Sequence, residues 1–269
     1  MSIEASPTAT ALGADRSAVA VVTGAAGGIG AVVARALAAT GVPVALLDRD
    51  IMPLWELAAE LDGSAGGVLA VAADVTDSAD VDSAIAKVEA ELGPVTYLVN
   101  GAGVLRSGPA SELTDEEWDI TFAVNTSGVF HVSRAVSRVM VPRGRGSIVT
   151  IASNAAMTPR ASMAAYAASK AASSMFTKCL GLELARHGIR CNVVAPGSTR
   201  TPMLTALQGD AAERASVDGT PDTYRVGIPL GRIAEPAHIA EAVLFLLSDR
   251  SAHITMHDLT VDGGASLGA

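Results

Sequence analysis

Five apolar residues, Ala18–Val22, run into Thr23-Gly24-Ala25-Ala26-Gly27-Gly28-Ile29-Gly30, and a helical pattern, Ile29–Ala39, follows at once. A continuous apolar run reads as a strand covered on both faces. The glycines permit a tight turn, and the helix start leaves free N–H groups at its positive dipole end. A strand, a glycine turn and a helix in this order begin a βαβ unit. The rest of the chain keeps the same rhythm. Val42–Leu47, Gly67–Ala72, Val95–Val99, Ser147–Ala152, Ile189–Ala195 and the short Leu259–Val261 read as six more strands. Helical patterns lie over Leu54–Leu61, Val81–Leu92, Glu116–Met140 with an interruption near Asn125, Ala164–His187 and Ile239–Leu247. Such alternation forces a parallel sheet with right-handed crossovers. The expected fold is α/β, a single-domain, Rossmann-type, doubly wound parallel seven-stranded sheet with helices on both faces.

The domain is expected over residues 17–269, after a flexible leader at 1–16. That leader carries Glu4 and Asp15 and has no apolar core of the kind a signal peptide needs. Met203–Val226 breaks the rhythm: it is polar, holds Gly209, Gly219 and Pro221, and has weak periodicity. An irregular stretch of this length inside a compact domain reads as a lid, here a substrate lid at about 203–226.

Composition excludes several classes. With 49% hydrophobic and 17% charged residues the chain is too apolar to be disordered. Aromatic residues are only 3%, so the core must be built from Ala, Val, Leu and Ile. A net charge of −9 repels phosphate backbones, which argues against nucleic acid as a partner. No Lys/Arg cluster reads as a membrane patch. Two cysteines, Cys179 and Cys191, are too few for a disulfide scaffold or a complete structural zinc site. They read as reduced thiols of a cytoplasmic protein. The five histidines, His131, His187, His238, His253 and His257, show no metal-ligand spacing, and no metal is expected.

The glycine turn suits a pyrophosphate, with Gly24, Gly28, Ile29 and Gly30 at the cradle. Asp48 ends the second strand, where a carboxylate accepts hydrogen bonds from adenosine ribose hydroxyls and repels a 2′-phosphate. This favours NAD over NADP. The neighbouring Arg49 is the residue that would hold such a phosphate instead, and Asp48 as a solvated loop acid is the plainer alternative. Asp74 and Val75, after the third strand, reach the adenine position, although Asp there also suits a helix cap. Asn100, Ala102 and Gly103 end the fourth strand, where small residues let a cofactor lie on the backbone. Ser153 ends the fifth strand, at the carboxyl edge where open α/β sheets bind ligands. Tyr166 and Lys170 are spaced i, i+4 and share a helix face. An ammonium and a positive nicotinamide beside a phenol lower its pKa and make it a base, while a Ser hydroxyl orients a substrate alcohol.

Thr-Gly-x-x-x-Gly-x-Gly, Asn-x-Ala-Gly, Ser, Tyr-x-x-x-Lys and Pro-Gly together resemble the short-chain dehydrogenase/reductase family over essentially the whole chain after the leader. The resemblance implies a catalytic set of Asn125, Ser153, Tyr166 and Lys170, with Asn125 holding a water that links Lys170 to solvent. It places Pro196, Gly197, Thr199 and Thr201 at the nicotinamide end and implies a homotetramer. Longer stretches are similar to one branch, the 2,3-dihydro-2,3-dihydroxybenzoate dehydrogenases of catecholate siderophore synthesis. These are Gly103–Gly108, Pro159–Tyr166, Phe176–Leu184, Arg190–Val194, Gly227–Arg232, Ser251–His257 and Val261–Gly264.

That branch implies a small cyclic carboxylate as substrate. Arg106 or Arg160 would grip the carboxylate through a guanidinium fork, and Met163 and Met203 would wall the ring. A surface or interface ion pair is the plainer role for either arginine. The segment Arg200–Leu204 and the lid depart from the branch, which leaves 2,3-dihydro-3-hydroxyanthranilate as the alternative substrate. A non-catalytic NAD(H)-binding sensor is the remaining alternative, and it would carry a damaged Ser–Tyr–Lys set.

Overall fold

The computed structural model describes Leu12, residues 18–208 and residues 211–268. Seven strands form one sheet: β1 (Val19–Thr23), β2 (Val44–Asp48), β3 (Val68–Ala72), β4 (Val95–Asn100), β5 (Gly146–Ile151), β6 (Ile189–Pro196) and β7 (Asp258–Val261). Their order is β3-β2-β1-β4-β5-β6-β7 and every pairing is parallel. The chain builds outward from β1 on one side, then returns to its other side with β4. A crevice therefore opens outside the carboxyl ends of β1 and β4.

The period of two along each strand divides the core into two layers. Ala20 and Val22 face α1 (Gly28–Ala39), α2 (Ile51–Glu60) and α9 (Pro236–Leu247), packing with Val33, Leu37, Leu54, Ile239 and Val243. Val19 and Val21 face α3 (Ser78–Glu91) and α5 (Val129–Met140), packing with Val81, Ile85, Val88, Val132, Val136 and Met140. Each such fully buried Val or Leu contributes about 1.5–3 kcal/mol. No helix among the described residues is long and apolar enough to cross a membrane.

The helical pattern expected over Glu116–Met140 is α4 (Asp115–Phe122), a π-helical turn over Ala123–Gly128, and α5. The interruption near Asn125 is therefore a widened turn in a continuous rod, and Asn125 is fully buried inside it. Helix α6 (Ala164–Leu184) lies close on β6: a Cβ on Gly181 would sit 2.9 Å from Met256 Cγ and 3.2 Å from Cys191 Cβ. Its buried face is largely polar. Ser169, Ser173 and Thr177 donate back to helix carbonyls, and Thr177 also bonds Thr150 on β5 at 2.8 Å.

Two expectations change. Among the described residues of 203–226, much of the stretch is regular: α7 (Pro202–Gln208), α8 (Ala211–Asp218) and a 3-10 turn at Pro221–Thr223. Helices of seven and eight residues are shorter than the window over which apolar periodicity is read, so the pattern did not reveal them. The expected leader lies outside the described residues apart from Leu12. That residue is buried, and its carbonyl accepts the Tyr97 hydroxyl at 2.6 Å.

Candidate active site

The crevice is a cavity of about 590 Å³ along the carboxyl edge of the sheet, within the range of ligand clefts. Its floor is the glycine turn. Gly24 has φ +68°, and a Cβ there would lie 2.7 Å from the Ala102 backbone. A Cβ on Gly30 would lie 2.1 Å from the Gly24 carbonyl oxygen. Only glycine allows this approach of turn, helix and neighbouring strand end. Thr23 Oγ1 completes the floor by accepting from the N–H groups of Gly101 (3.1 Å) and Ala102 (3.3 Å).

Helix α1 starts with Gly27 as its cap, with no side-chain capping bond and no acid in its first turn. Its first N–H groups and dipole are therefore free for an anion. Asp48 stands beside them, its carboxylate held by Ala26 N–H (3.2 Å) and Asp50 N–H (3.3 Å). Gly28, Ile29, Arg49, Asp74, Val75, Gly103, Pro196, Gly197, Thr199 and Thr201 continue the lining. One Asp74 oxygen is occupied by the backbone N–H and hydroxyl of Thr76, both at 2.8 Å. This uncapped anion site, followed by a long open cradle, fits an extended dinucleotide.

Asn100 is not part of the lining. Its side chain turns beneath the floor, donating to Ser133 Oγ (2.9 Å) and Thr150 Oγ1 (3.2 Å). There it joins strand to helix as a buried brace, which leaves the backbone of this strand end as the part that could meet a cofactor.

The second half of the cleft gathers Ser153, Tyr166 and Lys170. Ser153 follows β5, and its Oγ accepts from Ala155 N–H (3.1 Å). Tyr166 and Lys170 reach it from the first turns of α6, and Lys170 Nζ lies 5.8 Å from the Tyr166 ring centroid. Nζ donates to the Ile151 carbonyl at 2.8 Å. Burial lowers the Lys170 pKa from 10.5 to about 8, because the charged form is desolvated. Burial also raises the Tyr166 phenol, against a hydrogen bond with Ser153 that lowers it. The protein's own groups thus hold the Tyr166 phenol above its ordinary value; the lowering expected from the sequence includes the positive charge of a nicotinamide as well as that of Lys170.

Asn125 lies behind this group. Its Oδ1 accepts from Val104 N–H (2.8 Å), and its Nδ2 donates to the Val104 carbonyl (2.9 Å) and Ser169 Oγ (3.0 Å). The amide nitrogen is fully used, and the side chain as a whole holds the loop at Gly103–Val104 that follows β4. A Cβ on Gly103 would lie 3.3 Å from both Asn125 Oδ1 and Lys170 Nζ, so the two flank that glycine.

Of the expected substrate residues, Arg160, Met163 and Met203 line the cavity. Arg106 does not: it is exposed, and its guanidinium returns to the Leu105 carbonyl. The loop after β4 turns toward solvent at Arg106, which removes Arg106 from the candidate anchors. Arg225 lines the cavity instead, and no spacing in the sequence marked it. Arg200 secures the segment above by bridging Glu213 of α8 and Glu235 before α9.

The chain belongs to the short chain dehydrogenase family, whose model matches residues 18–212. The protein is accordingly an oxidoreductase of a family that binds NAD(P). It is 53% identical over 252 residues to a 2,3-dihydro-2,3-dihydroxybenzoate dehydrogenase of Bacillus subtilis, covering 93% of this chain and 96% of the relative. It is 42% identical to the protein of the same description from Escherichia coli, covering 92% and 96%. A solved short-chain type dehydrogenase/reductase from Mycobacterium marinum superposes with a TM-score of 0.84 at 33% identity, covering 93% of this chain and 95% of that one.

Proposed function

We propose that this protein oxidises the C3 alcohol of a 2,3-dihydro-2,3-dihydroxybenzoate-type cyclohexadiene carboxylate, using NAD, to give aromatic 2,3-dihydroxybenzoate. The observation that carries the reading is one cleft in which Ser153, Tyr166 and Lys170 meet a cationic wall containing Arg160. The 53% identical relative supports the same substrate class.

The roles follow from position. Gly24, Gly28, Ile29 and Gly30 would hold the pyrophosphate at the start of α1. Asp48 would take the ribose hydroxyls and exclude a 2′-phosphate, which favours NAD. Pro196, Gly197, Thr199 and Thr201 would border the nicotinamide. When bound, the oxidised cofactor supplies a positive charge near the phenol and accepts a hydride from the ring carbinol carbon. Ser153 would orient the substrate hydroxyl, and Tyr166, ionised to the phenolate under the positive charges of Lys170 and the oxidised cofactor, would take its proton as the C–O bond becomes a carbonyl. Lys170, fixed by the Ile151 carbonyl, would hold cationic charge beside that phenol. The dienone then tautomerises to the aromatic ring, which makes the overall oxidation favourable.

A cytoplasmic homotetramer belongs to this reading. Both cysteines are free, and α6 leaves Met175 and Leu182 exposed, as α5 leaves Phe130. Siderophore or related secondary metabolism is the setting that such a product implies.

The test is steady-state oxidation of 2,3-dihydro-2,3-dihydroxybenzoate with NAD⁺, with the product identified by its aromatic absorbance and mass. Turnover at least tenfold more efficient than with 2,3-dihydro-3-hydroxyanthranilate is expected. The reverse order would replace the substrate. Binding of NAD(H) with no turnover of either compound would leave the sensor reading.

A further inference from the structure

Arg225 follows the turn Pro221–Thr223, at the end of the segment above the cleft, and remains without a role in the chemistry proposed above. Its guanidinium is half-buried against the cavity that Arg160, Met163 and Tyr166 line. It is held by neutral partners: Nη2 donates to Ser198 Oγ at 2.7 Å and to Ser216 Oγ at 3.3 Å. Among the described residues no carboxylate pairs with it. Burial and the positive charge of Arg160 both work against its proton, so the two guanidiniums sense one another across the cavity.

The acid nearest in effect to Arg160 is Asp262, and its oxygens are already committed. They accept from Asn154 Nδ2 (3.1 Å), Gly264 N–H (2.9 Å), and the N–H (2.9 Å) and hydroxyl of Ser266. Two cations and one saturated acid leave an excess of one positive charge at a partly desolvated wall. Like charges held this way are unfavourable until an anion joins them. A monocarboxylate matches the excess, and a guanidinium fork matches its geometry.

We propose that Arg225 and Arg160 together seat the substrate carboxylate. Through its bonds to Ser198 and to Ser216 of α8, Arg225 ties this seat to the segment over the cleft. This rests on the substrate class proposed above. It adds a specificity-determining residue and a coupling between ligand charge and the segment that covers it.

The experiment compares wild type with Arg160→Met, Arg225→Met and Arg225→Lys, each first checked for an unchanged melting profile. Benzoate and 2,3-dihydroxybenzoate binding are measured by calorimetry in the presence of NAD⁺, and protease cleavage within 202–226 is followed with and without them. KM is measured for the carboxylate substrate and for 2-cyclohexen-1-ol. Each Met variant is expected to weaken benzoate binding tenfold or more. Each should raise KM for the acid at least tenfold relative to its effect on the acid-free alcohol. Arg225→Met should lose the carboxylate-dependent protection, and Arg225→Lys should recover part of the binding. Equal benzoate binding and equal protection in wild type and Arg225→Met would overturn the proposal, as would a wild type that binds no carboxylate. Carboxylate binding that depends on Arg225, in a protein that does not oxidise the dihydrodiol, would keep the seat and refute the assigned reaction.

Discussion

Lys170→Met should separate the stability of this fold from its chemistry. Burial lowers the Lys170 pKa from 10.5 to about 8. At neutral pH the amine is charged in both native and unfolded chains, and the native state bears the desolvation. The shift of about 2.5 units corresponds to roughly 3 kcal/mol. Methionine removes that burden but also strips the Ile151 carbonyl of its 2.8 Å donor, which costs about 1–3 kcal/mol. At pH 7 the two nearly offset, so the variant should be as stable as wild type or slightly more so, while turnover collapses. The pH dependence distinguishes the two effects. Between pH 8 and 10.5 the unfolded chain holds more protons than the native one, so wild-type stability rises with pH relative to the variant. The neutral amine still donates to Ile151, so the bond loss stays nearly constant. Urea unfolding of both proteins at one concentration, from pH 7 to 10, should show the wild-type-minus-variant difference climbing by roughly 2–3 kcal/mol. A flat difference across that range would refute the desolvated ammonium and the burial argument with it.

Tyr166→Phe should lower kcat by about 10²–10⁴-fold while NAD⁺ binding by fluorescence stays within a few-fold, since only the proton acceptor is removed; near-normal turnover would exclude Tyr166 as the base. Asp48→Ala should lower kcat/KM for NAD⁺ by about ten- to a hundredfold, the scale of one charge-assisted hydrogen bond, and raise it for NADP⁺. An unchanged cofactor ratio would shift the discrimination to Arg49. Arg190 donates to the Leu246 (2.7 Å), Leu247 (3.0 Å) and Ser248 (3.1 Å) carbonyls at the end of α9. Arg190→Met should therefore cost about 3 kcal/mol or more, a fall in Tm of about 6–12 °C for a chain of this size. A calorimetric shift under about 2 °C would show that water replaces the guanidinium there.

How much was legible in the sequence varies by element. The strands were readable within a residue or two because parallel strands buried on both faces leave apolar runs, as in Ala18–Val22 and Val44–Leu47. The glycine turn was readable because Gly24 and Gly30 occupy positions that no side chain can. Tyr166 and Lys170 were readable as a pair because a helix carries i and i+4 to one face. Less was legible where tertiary packing overrides local pattern. The π-helical turn at Asn125 showed only as an interruption, and α7 and α8 are too short for apolar periodicity to mark them. Asn100 sits in a motif of cofactor contacts, yet its side chain turns into the sheet interior.

The clearest division concerns the cationic wall. The order of strands and helices, the glycine turn and the convergence of Ser153, Tyr166 and Lys170 were determined by the sequence itself. Each depends on apolar periodicity, glycine sterics or helical spacing, which act over a few neighbouring residues. Which arginines face the cavity was decided only by the tertiary structure. Arg106 lies next to a cofactor motif but follows a loop that turns into solvent. Arg225 lies far along the chain, on a segment folded back over the cleft and tied by Ser198 and Ser216. A long side chain on a loop goes where the packing of that loop sends it, and the packing depends on contacts between residues remote in sequence, for which no local pattern exists.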